Sequence, residues 1–585
     1  MKYKYKDAPP SETVKKILGI YEELGLDMSC EITEKRKGIY SAIVSDSLRN
    51  WNTCGKGTTK DYCLASAYAE SVEHICSYFA YSTNTISDEA RRYKGFLRYP
   101  DEKIEHIAET HNYSPYVMTD MILAYSEDGK RPNNDKVVLK VWSKYLGNDK
   151  ASFVPYYSIR EDKEVMLPDD ILWNLCGTNG NGAGNTPEEA IGHGLDEICE
   201  RYAKYQIYKN RLTPPKIPMD YVERTCPELF NIISDIESTG RYKIVVKDAS
   251  LGKKFPVVSV LMVDRTNQRY LVNFGSHPIF EIALERCFTE MFQLFTLGTY
   301  EMKRKGMTKW NEVTDENINS VKNWVSLLRD DSGIVSDNFF AGKSSWEFEI
   351  WEHYPNYSNK LGMNEQLKKL LVISEDIYVR DLSFLGFPVY RIYIPKISTT
   401  HLAFNESQLN SFQEVTGIVK NCNKISSFDR DTLNHMKTDV FSSNMFASSL
   451  LFRNMSEAMT NSLLAAIEFD LGNLSKAKEI LKEQDDRFCS CALREIELAE
   501  NKVFPEKRDE LLNLFFGRDE LHYAICWRSN NVFLDLIRKY VVDYQMNIGG
   551  NTAKDSTAVD ELHMKVKEYM LKHVPSQIAL RKVLA

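Results

Sequence analysis

The apolar pattern divides the chain into a mixed first part and an all-helical remainder. Val14, Ile17, Leu18, Tyr21 and Leu24 recur at helical intervals, predicting a helix over residues 12–26. A strand is predicted at Tyr40–Val44, then a helix from about Asp61 to Ala80. Residues 95–170 are aromatic-rich and irregular, with Val137–Trp142 read as a short strand. Thr186-Pro187-Glu188-Glu189 supplies a cap, a first-turn proline and first-turn acids, so a second helix starts there. Tyr242–Lys247 and Val257–Val263 read as strands, the latter turning across residues 264–269 onto Tyr270–Phe274. A third helix is predicted from about Glu281 to Leu297, and a hairpin joins Ile377–Asp381 to Val389–Ile394.

Beyond about residue 405 strand signals almost vanish. Asn461–Glu483 reads as two short antiparallel helices around Gly472, like one tetratricopeptide hairpin. Helices are also predicted at Glu495–Glu500, Leu521–Trp527, Asn531–Asp543 and Asp560–Leu571. The expected architecture is an α/β (α+β) domain over residues 1–402 and an all-α, helical-repeat-like domain over 403–585. At 585 residues the chain is too long for one core, which agrees with this division.

A short stretch of the mixed part occurs twice. Gly55-Lys-Gly57-Thr-Thr59-Lys-Asp61 leads into a helix with Ser66, Glu70, Glu73 and His74. One hundred and twenty-seven residues later, Gly182-Ala-Gly184-Asn-Thr186-Pro-Glu188 leads into one with His193, Glu197, Glu200 and Arg201. Two glycine turns feeding acid-faced helices imply a pseudo-duplicated strand–helix unit. Ser66, Glu70 and Glu73 fall at i, i+4 and i+7, and Arg286, Glu290 and Gln293 repeat that spacing on the third helix.

These helices are otherwise apolar, so their acids are expected to be partly buried. Carboxylates sharing a cavity raise one another's pKa, and divalent cations with hard-oxygen preference remove the conflict. Mg²⁺ usually completes its shell with water and phosphate oxygens. Asn179 to Asn185 offers unhindered backbone donors, and Lys56, Arg201 and Arg286 offer positive charge for phosphates. The combination describes a nucleoside triphosphate site. Taken singly, each part has a plainer reading. One helical Glu is usually a solvated face, Gly55–Thr59 is not a Walker loop, and His193 and His277 read as structural. Ser276 lacks a nucleophile elbow and no His-Glu-x-x-His is present, so hydrolase chemistry of either kind is not expected.

The formal charge of −8 and the absence of a basic tail argue against direct nucleic-acid binding. Twelve scattered cysteines with no Cys-x-x-Cys pair, and no apolar run of about 18 residues, predict a cytoplasmic protein without a membrane span.

The segment Gly177-Thr-Asn179-Gly180 … Gly184-Asn185-Thr186 … Glu189-Ala190 … Glu197-x-x-Glu200-Arg201 resembles the hallmark of YcaO-domain proteins. Ser66-x-x-x-Glu70-x-x-Glu73 and Ala283-Leu-Glu-Arg286-x-x-x-Glu290-x-x-Gln293 stand in the matching order. The resemblance implies a YcaO-type domain that binds ATP and Mg²⁺ and activates a peptide backbone amide on a protein or peptide substrate. Carried over by position, Glu70, Glu73, Glu197, Glu200 and Glu290 would hold metal. Lys6, Thr13, Ser66, Asn185, Glu189, Arg201 and Arg286 would contact nucleotide, with Glu189 and Arg286 also catalytic.

Two positions depart from the family pattern: His74 and Phe295 stand where many members carry arginine. The tail also lacks the Pro-x-Pro-x-Pro ending of azoline formers. The resemblance therefore implies an accessory factor for β-methylthiolation of a small-subunit ribosomal protein, with a radical-type methylthiotransferase as partner. A homodimer is expected. The alternatives are an azoline- or thioamide-forming enzyme and a non-catalytic nucleotide-binding adaptor.

Overall fold

The computed structural model describes residues 5–46, 51–77, 88–107, 115–125, 135–146, 149–293, 307–319, 323, 327, 333–399, 425–437, 457–484, 486–542 and 556–584. The chain forms two units, Met1–Ala403 with Ala553–Ala585, and Phe404–Thr552.

In the first unit β1 (Met28–Arg36), β2 (Ile39–Asp46) and β3 (Trp51–Gly57) form a three-stranded sheet. β4 (Lys103–His106), β5 (Lys150–Ser158), β6 (Lys163–Pro168) and β7 (Asn181–Ala183) enter a six-stranded sheet. A separate four-stranded sheet holds β8 (Tyr242–Asp248), β9 (Val257–Asp264), β10 (Arg269–Ser276) and β11 (Thr308–Lys309). β12 (Tyr378–Asp381) and β13 (Val389–Tyr393) complete the six-stranded sheet in the order β4-β5-β12-β13-β7, with β6 on β5. The predicted β9–β10 hairpin closes with Arg269 opposite Asp264.

Five helices position the site: α1 (Pro10–Leu24), α2 (Lys60–Cys76), α3 (Pro187–Lys209), α4 (Phe280–Gln293) and α5 (Asn359–Ile373). The four-stranded sheet is buried on both faces. Val257 and Leu261 of β9 share a core with Ile191, Leu195 and Ile198 of α3. Val258, Val260 and Met262 share another with Leu284, Phe288 and Met291 of α4. A strand covered on both faces has no polar side to show, which is why β9 is apolar from Val257 to Val263 at every position but Ser259.

Val137–Trp142 is not a strand; it lies in the helix Asp135–Leu146. Val138, Leu139 and Trp142 are buried while Val137 is exposed, which is i, i+1, i+4 spacing. The paired valines favoured a strand locally, and helical packing overrode that preference.

The second unit contains the helices Glu457–Asp470 and Leu474–Lys482 on either side of Gly472, whose φ of +87° suits glycine. Arg487–Glu500 and Arg518–Cys526 follow, with the unanticipated Pro505–Phe515 between them. Glu495 is buried and held by Arg508 and by Arg528, at 2.9 and 3.0 Å for the latter. The terminal helix Ser556–Lys572, expected within the helical domain, groups with the first unit instead. Lys567 Nζ donates to Phe96 O at 2.6 Å, the Gln577 amide brackets the Asp381 backbone, and Leu580 enters the α3 core.

Candidate nucleotide and metal site

The duplicated segments are one structural unit used repeatedly. Thr59 and Thr186 cap α2 and α3 alike, their hydroxyls accepting from Tyr62 N and Glu189 N. The glycines, however, are not turns: Gly55 and Gly57 lie in β3, and Gly182 in β7. They let strand and helix touch. A Cβ on Gly55 would stand 2.5 Å from Cys63 O, and one on Gly182 2.2 Å from Ala190 O. The same contact recurs at β10–α4, where a Cβ on Gly275 would meet Ala283 O at 2.3 Å. In each case the partner is eight residues ahead (63−55, 190−182, 283−275) and an acid fifteen ahead: Glu70, Glu197 and Glu290. The unit is therefore present three times. The third copy was readable in the Gly275-to-Glu290 interval and escaped notice because its glycine stands alone.

These units converge on a cavity of about 580 Å³. Ser66, Glu70 and Glu73 line it from α2, and Glu189, Glu197, Glu200 and Arg201 from α3. Arg286 and Glu290 reach it from α4, Lys56 from β3, Asn185 from the turn before α3, and Lys6 and Thr13 from the N-terminal segment. Phe295, and the predicted end of the third helix beyond Gln293, lie outside the described residues.

Negative charge in the cavity is only partly neutralised. Burial pushes Glu70 up to about 7, opposed by Lys56 and reinforced by Glu197. Glu73 is driven well above the usual carboxylate range, first by burial and then by Glu197 and Glu70. Lys56 ion-pairs with Glu290, and Arg201 with Glu197 at 2.9 Å. Gly180 N also donates to Glu197 at 3.2 Å, tying β7 to the acid face of α3. His74 is held down to about 4 by burial, so its ring is neutral near pH 7 and adds no cation to the cavity.

Tyr5, Asp196 and Tyr357, which sequence reasoning passed over, line the same cavity with His193 and His277. Asp196, buried on α3, accepts from Arg286 Nη1 at 3.2 Å. Tyr5 packs edge-on against Tyr357, and His277 Nδ1 accepts from Ile279 N at 2.9 Å. His277 and His193 are both held well below the usual imidazole range, chiefly by burial. The structural reading of His277 agrees with that hydrogen bond, whereas His193 meets Lys6 Nζ at 2.6 Å.

The N-terminal segment is fastened to the start of α3. Lys6 Nζ lies 3.2 Å from Glu189 Oε1, and Asp7 N donates to Glu189 Oε2 at 3.0 Å. The Thr13 hydroxyl donates to Asn185 Oδ1 at 2.6 Å, and Asn185 Nδ2 donates back to Glu189. Against burial, which acts upward, these partners hold Glu189 below the usual carboxylate range. Lys6→Ala is expected to raise the KM for ATP about tenfold, the worth of one charge-assisted bond. Limited proteolysis should show residues 5–13 cut sooner; unchanged kinetics would remove Lys6 from the site.

A family profile described as YcaO cyclodehydratase, ATP- and Mg²⁺-binding, matches residues 54–398. The chain belongs to the YcaO family. The matched span holds all three strand–helix units of this YcaO domain apart from the start of β3. The ribosomal protein S12 methylthiotransferase accessory factor YcaO of Escherichia coli (strain K12) is 28% identical over 365 residues, 60% of this chain and 58% of that protein. An uncharacterized protein of Haemophilus influenzae is 29% identical over 355 residues, 60% of this chain and 57% of that one. The likeness thus spans somewhat over half of each curated relative's length. Two solved structures resemble the fold. One is a heterocyclase in complex with substrate and cofactor, 18% identical, with TM-score 0.46 over 69% of this chain and 55% of that one. The other is YcaO from Methanopyrus kandleri bound with AMPPCP and Mg²⁺, 18% identical, with TM-score 0.43 over 67% and 92%.

The YcaO domain binds ATP and Mg²⁺, and the cavity suits both. Hard-oxygen donors crowded until two of them resist ionisation are what a divalent cation relieves. Among the described residues no three acidic, His or Cys side chains already stand as a ligand set, with Lys56 on Glu290 and Arg201 on Glu197. No described helix is long and apolar enough to cross a membrane.

Proposed function

We propose that this chain uses ATP and Mg²⁺ to activate a backbone amide of a protein or peptide substrate, as an accessory factor in β-methylthiolation of a small-subunit ribosomal protein. The observation that carries this reading is the convergence of acids from three repeated units on one cavity. Glu70, Glu73, Glu197, Glu200 and Glu290 would hold Mg²⁺. Lys6, Thr13, Ser66, Asn185, Arg201 and Arg286 would hold the nucleotide, with Glu189 anchored beside them. Bound there, ATP would transfer its γ-phosphoryl group, releasing ADP, to the oxygen of an amide to which a nucleophile has added, and that oxygen would then leave as phosphate. Arg286 faces the cavity with a fixed positive charge for the anion that develops, and the Lys6–Glu189–Asn185 cluster orients the nucleotide end. The likeness to the Escherichia coli accessory factor supports the choice of substrate class. We assign the catalytic role to the first unit, residues 1–403 with 553–585, and treat 404–552 as the separate helical domain.

The test uses ribosomal protein S12 carrying ¹⁸O in its backbone carbonyls, incubated with ATP, Mg²⁺ and the methylthiotransferase. Label appearing in released phosphate supports amide activation. ATP consumed without label transfer refutes it. The neutral His74 favours the second reading, a nucleotide-holding adaptor; that reading predicts no turnover even with S12 and its methylthiotransferase saturating. An azoline- or thioamide-forming enzyme would transfer label from a different peptide, identified by pull-down and mass spectrometry.

A further inference from the structure

The three repeated units are equivalent in backbone but not in what stabilises their cations. Lys56 and Arg201 each rest on a carboxylate assigned above to metal, Glu290 and Glu197. Arg286 does not. Its carboxylate partner is Asp196, 3.2 Å away on the neighbouring helix, an acid outside the family's hallmark set. Asp196 is 2% exposed, and its carboxylate is held by Arg286 together with the Gln366 side chain. A buried carboxylate is costly and persists where its charged contact performs a task.

Helical spacing shows what that task is. Asp196 and Arg286 stand one turn before Glu200 and Glu290 on α3 and α4. An arginine side chain released from Asp196 would have Glu290, one turn along its own helix, and Glu200, one turn beyond Asp196, as alternative partners. It would then occupy carboxylates intended for Mg²⁺ and withdraw from the phosphates. We infer that Asp196 is a positioning residue that holds the Arg286 guanidinium toward the nucleotide and away from the metal-binding carboxylates. The inference rests on the nucleotide site proposed above, and not on amide activation.

The test is calorimetric binding of AMPPCP across a Mg²⁺ series to wild type, Asp196→Ala, Arg286→Ala and the double variant. Asp196→Ala is expected to raise the Kd about tenfold, and to raise the Mg²⁺ concentration needed for half-maximal binding. In the Arg286→Ala background the Asp196 substitution should add nothing, because its effect passes through the arginine. A merely structural Asp196 would give additive losses and an unchanged Mg²⁺ midpoint, and either result overturns the inference. Asp196→Asn keeps the shape and supplies the same cycle should the alanine variant fold poorly. If Arg286→Ala itself binds normally, the inference falls together with Arg286's place in the nucleotide site. Amide activation is untouched by that outcome, since AMPPCP is not turned over.

Discussion

Glu70→Gln and Glu197→Gln are each expected to lose Mg²⁺-dependent ATP binding and turnover by about 100-fold or more, without loss of fold. The reason lies in the crowding of the cavity. Glu70 and Glu73 are pushed up first by burial, Glu197 adds to both, and Glu70 adds to Glu73. Carboxylates arranged this way oppose folding until a cation arrives, so removing one charge relieves the empty protein while disabling the loaded one. Glu70→Gln should therefore melt at the same temperature as wild type or higher. Glu197→Gln forfeits its ion pair with Arg201 but keeps an acceptor for Gly180 N, and should melt close to wild type. Added Mg²⁺ and ATP should raise the wild-type melting temperature and leave both variants where they were. Normal nucleotide binding in either variant would show that these acids hold no metal.

Gly182→Ala is expected to cost about 3 kcal/mol or more, enough to unfold much of the first unit near physiological temperature. Its new Cβ would stand 2.2 Å from Ala190 O and 2.7 Å from Gly194 N, all backbone atoms that cannot step aside without moving α3 off β7. Gly192→Ala, on the same helix, is the control. No atom lies within 4 Å of its Cβ and its φ is ordinary, so the alanine should be neutral or gain up to about 1 kcal/mol from helix propensity. Denaturant melts of the two variants separate a packing requirement from a general dislike of substitution. If Gly182→Ala is as stable as Gly192→Ala, the close strand–helix contact is wrong.

The site was legible in the sequence to the extent that its chemistry followed local periodicity. Acids at i, i+4 and i+7 on apolar helices had to share a face, and three such faces with a cap and cations nearby pointed to a metal–nucleotide cavity. The glycines were found but misread. Both tight turns and close packing call for a missing Cβ, and only the strand–helix distance distinguishes them. Val137–Trp142 failed for a related reason: two adjacent valines favour a strand until the burial of Val138, Leu139 and Trp142 decides for a helix. Asp196 and Tyr357 carry no motif, so nothing along the chain marked them.

By itself the chain determined which helices bear acids, where they begin, and that one unit was repeated. Those properties depend on neighbours a few residues away. Only the tertiary structure decided that residues 553–585 return to the first unit and that Arg286 is held by Asp196. Each of these joins residues far apart in sequence, and such pairings are settled by which surfaces exclude water together, a property no local pattern contains.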